Sequence, residues 1–141
     1  MRYLGLDLGT RTLGVSISDE TKTIASGLTT LHFEEGDYDK AISLLKDATN
    51  LNNIEKIILG LPKNMNNTVG EAAERCLNFK DKLIKELNID VVMQDERLST
   101  VSAHNYMLEA DISRKKRKKV VDKMAANIIL QTYLDIEKGR N

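Results

Sequence analysis

Acidic residues at three widely separated positions are the candidates for chemistry in this chain. Asp7 lies in YLGLDLGTRTLGVSISD, Asp95 and Glu96 lie together in VVMQDERLST, and Asp122 lies in VVDKMAANIIL. Carboxylate oxygens are the hard ligands that Mg²⁺ and Mn²⁺ prefer. Two such ions about 4 Å apart can clamp an in-line phosphoryl displacement. The acids therefore predict a site for Mg²⁺ or Mn²⁺, with two ions, if the fold brings them together.

Basic residues precede the third acid in an unbroken run: Arg114, Lys115, Lys116, Arg117, Lys118 and Lys119. The net charge of the whole chain is zero, but residues 114–141 carry nine Lys and Arg against three Asp and Glu. A local basic surface of this kind neutralises phosphates, so we predict nucleic acid as the partner. Isolated candidates for further phosphate contacts are Arg11, Lys63 and Arg97. Such a run is also typical of a solvated, disordered segment, which can order on binding.

Composition predicts a single domain over residues 1–141. The chain is 41% hydrophobic and 30% charged, which is ordinary for a globular protein. No apolar run approaches the roughly 18 residues needed to cross a bilayer, and the first residues do not have the pattern of a signal peptide. Cys76 is the only cysteine, so it has no partner in the chain for a disulfide. We expect a cytoplasmic protein that does not bind membranes.

The apolar pattern predicts an α/β fold with the element order βββαβαβαα. Strands are predicted at residues 2–8, 13–18, 22–31, 56–61 and 89–93. The short turns between the first three indicate an antiparallel meander, and the last two are short buried runs typical of parallel strands. The first helix is predicted at residues 37–51, and others follow the fourth and fifth strands. The result is a mixed five-stranded sheet flanked by helices.

This topology explains how the acids meet. Strands one, four and five are predicted to be parallel neighbours, and ligands of open α/β sheets bind at the carboxyl ends of such strands. Asp7 and the Asp95–Glu96 pair fall at those ends. Adjacent residues on a strand point to opposite faces, so either acid of the pair can be the ligand, and we favour Glu96. Asp122 is predicted near the start of the last helix, where it either reaches the same edge or only favours the helix dipole.

Small residues in the first hairpin have an interpretation of their own. Gly5, Gly9 and Gly14 leave the surface around Asp7 without bulky side chains. We interpret them as space in which a sugar–phosphate backbone approaches the site.

Four segments of the chain resemble the YqgF (RuvX) family of bacterial nucleases, in the ribonuclease-H-like superfamily. They are GLDLGTRTLGVSISD (5–19), LGLPKNMNNTVGEAAE (59–74), DERLST (95–100) and VVDKMAANIILQTYLD (120–135). The resemblance implies a ribonuclease-H-like fold in which Asp7, Glu96 and Asp122 are metal-binding catalytic acids. The segment Gly60-Leu61-Pro62 looks like the family's loop beside the site. Family members often carry two basic residues where this chain has Arg11 and Thr12.

Members of this family are named as Holliday junction resolvases or as pre-16S ribosomal RNA nucleases. Processing the 5′ end of precursor 16S ribosomal RNA needs one active site, and the small ribosomal subunit is then a further partner. Resolving a four-way DNA junction symmetrically needs two sites related by a two-fold axis. We favour the ribosomal RNA role, with a monomer or a weak homodimer.

Two rival functions come from other classes of protein. DLGTRTLGVSIS also resembles the phosphate-binding hairpin of sugar kinases, actins and Hsp70-type ATPases, which bind ATP between two such domains. This chain supplies only one domain, and an ATP-binding role leaves the DER segment unexplained. The other rival is a catalytically silent nucleic-acid-binding module for ribosome assembly. The presence of all three acids favours the nuclease.

Overall fold

The computed structural model describes residues 1–61, 70–95 and 114–137, with the side chains of Asp95 and of residues 114–124 excepted. Five strands, three α-helices and one 3-10 turn follow one another along these residues. They are β1 (Arg2–Leu8), β2 (Thr12–Ser18), β3 (Ala25–His32), α1 (Tyr38–Ala48), the turn Leu51–Asn53, β4 (Ile54–Leu61), α2 (Glu71–Leu87), β5 (Asp90–Asp95) and α3 (Arg114–Glu137).

All five strands form one mixed sheet with the order β3-β2-β1-β4-β5. Strand β1 pairs antiparallel with β2 and parallel with β4, and β5 pairs parallel with β4. The predicted meander and the predicted parallel neighbours are therefore confirmed. The register is irregular at two places. Val15 lies opposite Thr29 whereas Ser16 lies opposite Gly27, and Arg2 lies opposite Ile54 whereas Tyr3 lies opposite Lys56.

Each face of the sheet is covered by different helices. Leu4, Leu6 and Leu8 of β1 pack with residues of α1 and α2 in the larger core. Tyr3, on the alternate positions of the same strand, packs with α3 residues such as Leu130 in a smaller core on the opposite face. The two-residue period of a strand thus divides β1 between two hydrophobic layers. Helices on both faces were predicted, and this is confirmed.

The observed bounds differ from the predicted ones mainly at the last helix. Helix α3 begins at Arg114, so the basic run forms its first turns and is not a disordered segment. Asp122 is consequently the ninth residue of α3, too far from its first turn for the N-terminal dipole to account for it. Strand β3 begins at Ala25, later than predicted, because residues 19–24 form a hydrogen-bonded turn. The helix predicted directly after β5 lies outside the described residues.

None of the helices in the described ranges is long and apolar enough to span a membrane.

Asp19 organises the turn between β2 and β3. Its carboxylate accepts hydrogen bonds from the Thr21 hydroxyl and from the backbone N–H groups of Thr23 (2.8 Å) and Ile24 (3.1 Å). The Thr21 hydroxyl makes the largest contribution, and these bonds together lower the pKa of Asp19 to about 2. Hydrogen bonds to the ionised form of a carboxylate favour that form.

Replacing Asp19 by Asn should lower stability at neutral pH, and the deficit should shrink in acid. The unfolded carboxyl titrates near pH 3.9, about two units above the folded one, so its contribution is complete above about pH 4. It is lost as the pH falls through about 2, because there the folded carboxyl is also protonated. Urea unfolding of both proteins at about pH 6, 4 and 2 measures the difference. A difference that is constant across this range would contradict the assigned role.

Candidate metal and nucleic-acid site

Asp7 lies near the carboxyl end of β1, on the face of the sheet that α3 covers. It pairs with Gly14 of β2, and its side chain is partly buried. None of the ion pairs found among the described side chains involves Asp7. A partly buried carboxylate without a cation beside it is costly, and a bound metal ion is one way of compensating that cost.

The carboxyl ends of β1, β4 and β5 form one edge of the sheet. Leu6 of β1 pairs with Leu59 of β4, and Leu59 pairs with Met93 of β5. Asp7 lies one position beyond this row on β1. Strand β5 ends at Asp95, two positions beyond the same row. Since neighbouring strands are about 4.8 Å apart, the ends of β1 and β5 are separated by roughly 10 Å.

Side chains alternate between the two faces of the sheet along β5, and this alternation relates the strand to Asp7. Val91 and Met93 face the core that contains α1 and α2. Gln94 therefore lies on the opposite face, which is the face of Asp7. Glu96 follows Gln94 by two positions in the sequence but lies outside the described residues, as do Arg97 and Lys63.

Helix α3 runs antiparallel to β1 across the same face. Its Leu134 packs with Tyr3 near the start of β1. A Cβ atom added at Gly5 would lie 2.7 Å from Cβ of Leu130, and one added at Gly14 would lie 3.4 Å from Cβ of Ala126. Successive turns of α3 towards its N-terminal end thus follow β1 towards its carboxyl end.

This direction places Asp122 relative to Asp7. Ala126 lies over Gly14, the residue that pairs with Asp7. Asp122 precedes Ala126 by four positions, so it occupies the same stripe of the helix, about 6 Å further along the axis. Its backbone is therefore one turn beyond the row of Asp7, at the carboxyl edge. The remaining turns, which contain residues 114–119, continue away from the sheet in the same direction.

Two of the three glycines have a different role from the predicted one. The space above Gly5 and Gly14 is occupied by α3, whose Ala126 and Leu130 lie directly on it. The interpretation that these two glycines admit a sugar–phosphate backbone is therefore wrong. They allow a close approach of the helix to the strands, which a side chain at Gly5 would prevent. Gly9 lies in the turn after β1, where its backbone N–H donates to the carbonyl of Thr12 (2.7 Å).

Arg11 lies in the turn between β1 and β2, at the same edge as Asp7. Its guanidinium forms an ion pair with Glu35 (3.6 Å), and its side chain remains 72% exposed. The turn is held against the segment after β3 by a hydrogen bond from the Phe33 N–H to the Arg11 carbonyl (3.0 Å). Arg11 is thus available to a phosphate, which would compete with Glu35 for it. Surface ion pairs of this kind stabilise little, so the competition is weak.

Residues that fix α3 to the sheet were not predicted from the sequence. Ser16 is fully buried and donates to the carbonyl of Ala126 (2.7 Å). Gln131 forms hydrogen bonds with the backbone at the start of β3, and Tyr133 accepts one from Lys56 of β4. The available signal was weak: a buried Ser on an apolar strand and a Gln within the apolar part of a helix need partners.

Comparisons with known proteins are consistent across sequence and structure. A family model described as "RuvX: Holliday junction resolvase" matches residues 1–136. A Bacillus cereus (strain B4264) protein named "Putative pre-16S rRNA nuclease" is 50% identical over 135 residues, which cover 96% of this chain and 98% of that protein. A Bacillus thuringiensis (strain Al Hakam) protein of the same name is 49% identical, with the same coverage.

Solved structures show the same fold at low sequence identity. T. thermophilus RuvC in complex with a Holliday junction substrate has a TM-score of 0.56 and 12% identity, covering 99% of this chain and 97% of RuvC. The fowlpox virus Holliday junction resolvase has a TM-score of 0.54 and 12% identity, covering 98% of this chain and 99% of the viral protein. The predicted fold class is therefore confirmed.

Proposed function

The chain belongs to the RuvX family of Holliday junction resolvases, and from this membership we propose that it is a divalent-metal-dependent nuclease. The reaction is hydrolysis of phosphodiester bonds in structured nucleic acid. The observation that carries the proposal is the path of α3. It runs antiparallel over β1 and brings the position of Asp122 to the edge at which Asp7 lies.

We assign Asp7, Glu96 and Asp122 as the carboxylates that hold Mg²⁺ or Mn²⁺. Asp7 fits this role because it is partly buried and has no ion pair among the described residues. Glu96 is preferred to Asp95 because Gln94, two positions earlier, lies on the face of Asp7. When bound, such ions lower the pKa of a water molecule and stabilise the leaving oxygen.

Positive charge on both sides of this edge supports a phosphate backbone as the substrate. Arg11 lies in the turn after β1, and α3 begins with residues 114–119. The assigned phosphate contacts are Arg11, Lys63, Arg97, Arg114, Lys115, Lys116, Arg117, Lys118 and Lys119. Contacts of this kind set affinity and position and not sequence specificity. The chain has no Trp and 4% aromatic residues, so stacking on unpaired bases contributes little.

Precursor 16S ribosomal RNA is our first candidate substrate. The relatives that are about half identical over nearly their whole length are named for it. We place this activity in the cytoplasm, with the precursor of the small ribosomal subunit as the larger particle that presents the RNA. One active site per chain is enough for cleavage at a single 5′ leader.

A four-way DNA junction is the second candidate. The family description and the fold neighbours favour it. It requires two copies of the chain that cut symmetrically, and therefore a dimer on the junction. Sedimentation of the chain with and without a junction distinguishes the two candidates by stoichiometry.

The proposal is tested by offering both substrates side by side. A pre-16S RNA with its 5′ leader and a four-way DNA junction, each labelled at a 5′ end, are incubated with the protein and Mg²⁺ or Mn²⁺. We expect cleavage of the RNA at discrete internal positions that depends on metal. Cleavage of the junction at symmetric positions would instead select the second candidate. Metal-independent binding without cleavage of either would select a silent binding module and overturn the proposal.

A further inference from the structure

Gln131 connects α3 to the start of β3 through both atoms of its amide group. The backbone N–H of Ala25 donates to Oε1 of Gln131 (2.9 Å), and Nε2 of Gln131 donates to the carbonyl of Thr23 (3.0 Å). Nε2 also donates to Asp135 (3.0 Å), one turn further along the helix. The amide therefore has a fixed orientation and holds one side of α3 to the edge strand.

Tyr133 and Lys56 hold the opposite side of the helix. Nζ of Lys56, on β4, donates to the hydroxyl of Tyr133 (3.1 Å) and lies 5.4 Å from the centroid of its ring. This hydrogen bond is the largest contribution that raises the pKa of Lys56, so the ammonium remains charged. Tyr133 follows Gln131 by two positions, so the two side chains leave the helix about 200° apart around its axis. The helix is thus held from the β3 side and from the β4 side.

The contacts between these two attachments do not fix the rotation of α3. Ile129, Leu130 and Leu134 pack on the sheet through apolar surface, which is not directional. Ser16 donates to a backbone carbonyl close to the helix axis, so its bond resists sliding more than rotation. On the β4 side, Glu137 adds to the bond of Tyr133, because it accepts from the Tyr3 hydroxyl (3.1 Å) and lies 3.7 Å from Nζ of Lys56. On the β3 side, the bonds of Gln131 are the directional constraints found among the described residues.

We infer that Gln131 is a positioning residue, which fixes the rotation of α3 and thereby the position of Asp122 relative to Asp7. The inference rests on the proposed function, in which both acids hold metal ions. A carboxylate lies roughly 6 Å from its helix axis, so a rotation of about 10° displaces it by about 1 Å. Functional groups must be held within about 0.5 Å of their productive geometry, and Mg²⁺ demands near-ideal octahedral coordination.

The test compares Gln131→Met with Ser18→Ala. Methionine has a similar length but forms neither hydrogen bond with β3. Ser18 is fully buried like Ser16, and its hydroxyl accepts from the Tyr3 N–H (2.8 Å) and donates to the Asp19 carbonyl (2.9 Å). Ser18→Ala therefore removes one buried hydrogen bond between β1 and β2 and one bond to the turn after β2, and neither of them involves α3. Gln131→Asn keeps an amide with both a donor and an acceptor on a shorter side chain and serves as the conservative variant.

Two readouts are taken well below the melting temperatures of all proteins. The first is cleavage of the better of the two substrates at saturating Mg²⁺, which gives kcat and KM. The second is Mn²⁺ affinity from water-proton relaxation, which needs no substrate. For Gln131→Met we expect kcat to fall about 10- to 100-fold with KM within about twofold, and Mn²⁺ affinity to fall about tenfold. Gln131→Asn should be intermediate, and Ser18→Ala should keep both within about twofold while lowering the melting temperature.

The possible outcomes separate the inference from the proposed function. If Gln131→Met matches Ser18→Ala in kcat and in Mn²⁺ affinity, Gln131 is only structural and the inference is overturned. If wild type and Asp7→Asn bind Mn²⁺ equally weakly and neither cleaves, the proposed function fails and the inference falls with it. If wild type binds Mn²⁺ but cleaves neither substrate, the Mn²⁺ affinities alone still decide the role of Gln131.

Discussion

Asp7→Asn is expected to lower metal-dependent cleavage by at least a factor of about 1,000. Metal ions contribute several kcal/mol of transition-state stabilisation, and each 1.4 kcal/mol corresponds to about a tenfold change in rate. An Asn side chain keeps the size of Asp but offers one neutral oxygen where a carboxylate can bridge two ions. Affinity for RNA in the absence of metal should remain within about twofold. Single-turnover cleavage and a binding titration measure the two effects.

The matched control for this substitution is Asp90→Asn. Asp90 is the first residue of β5 and is exposed, so it lies at the amino edge of the sheet, opposite the site. Both variants remove one negative charge from the chain, so any general effect on nucleic-acid affinity is shared. We expect Asp90→Asn to cleave at the wild-type rate. If Asp7→Asn cleaved as fast as wild type, Asp7 would not be a ligand of the metal site.

Stability provides an independent check on Asp7. Without metal, Asp7→Asn should melt no lower than wild type, because a partly buried carboxylate with no ion pair among the described side chains is replaced by a neutral group. Added Mg²⁺ or Mn²⁺ should raise the melting temperature of wild type and of Asp90→Asn, since a ligand that binds only the folded state stabilises it. Asp7→Asn should show a smaller rise or none. A lower melting temperature without metal would instead indicate a structural role for Asp7.

The sheet could be predicted because its strands depend on local patterns. A strand with a continuous apolar run, such as β4, must be buried on both of its faces. Short turns restrict β1, β2 and β3 to an antiparallel meander. These constraints act within a few residues, so the sequence contains them directly. The same patterns predicted that Asp7 and the end of β5 lie at one edge of the sheet, because the order of parallel strands follows from the connections between them.

The start of α3 could not be predicted in the same way, because two local effects oppose each other. Adjacent like charges in residues 114–119 repel, which favoured a disordered run. Lys and Arg are nevertheless good helix formers, and no Gly or Pro interrupts the sequence between Arg114 and Glu137. The absence of Gly and Pro over this length was the better signal, because it predicts a continuous helix. The contact of α3 with Gly5 and Gly14 is a tertiary effect, and a glycine on a strand does not reveal what approaches it.

Gly5→Ala is expected to cause the largest loss of stability among the substitutions considered. An added Cβ would lie 2.7 Å from Cβ of Leu130 and 2.9 Å from the carbonyl oxygen of Ala126, and closer still to the hydroxyl oxygen of Ser16. The first two atoms belong to the framework of α3 and cannot rotate away. Overpacking of this kind costs about 1–3 kcal/mol, which corresponds to a fall in melting temperature of roughly 3–10 °C.

Gly27→Ala is the control on the same sheet. Gly27 lies on the edge strand β3, and a Cβ added there would meet no atom within 4 Å. We expect its melting temperature to stay within about 2 °C of wild type, because a strand accepts Ala wherever the backbone is ordinary and the space is open. Thermal unfolding followed by circular dichroism compares the two variants. Similar melting temperatures for Gly5→Ala and Gly27→Ala would contradict the close approach of α3.

The effect of Gly5→Ala on cleavage follows from the same displacement. The helix must move outward or along its axis to admit the methyl group, and the position of Asp122 moves with it because α3 is continuous from Arg114 to Glu137. Cleavage should therefore fall at least tenfold even at temperatures where the variant is folded, since a displacement of about 1 Å costs up to about a hundredfold in rate. Gly27→Ala should cleave normally. A folded Gly5→Ala protein with wild-type kcat would mean that Asp122 does not need its position relative to β1, which would exclude Asp122 as a ligand and leave Asp7 with other partners.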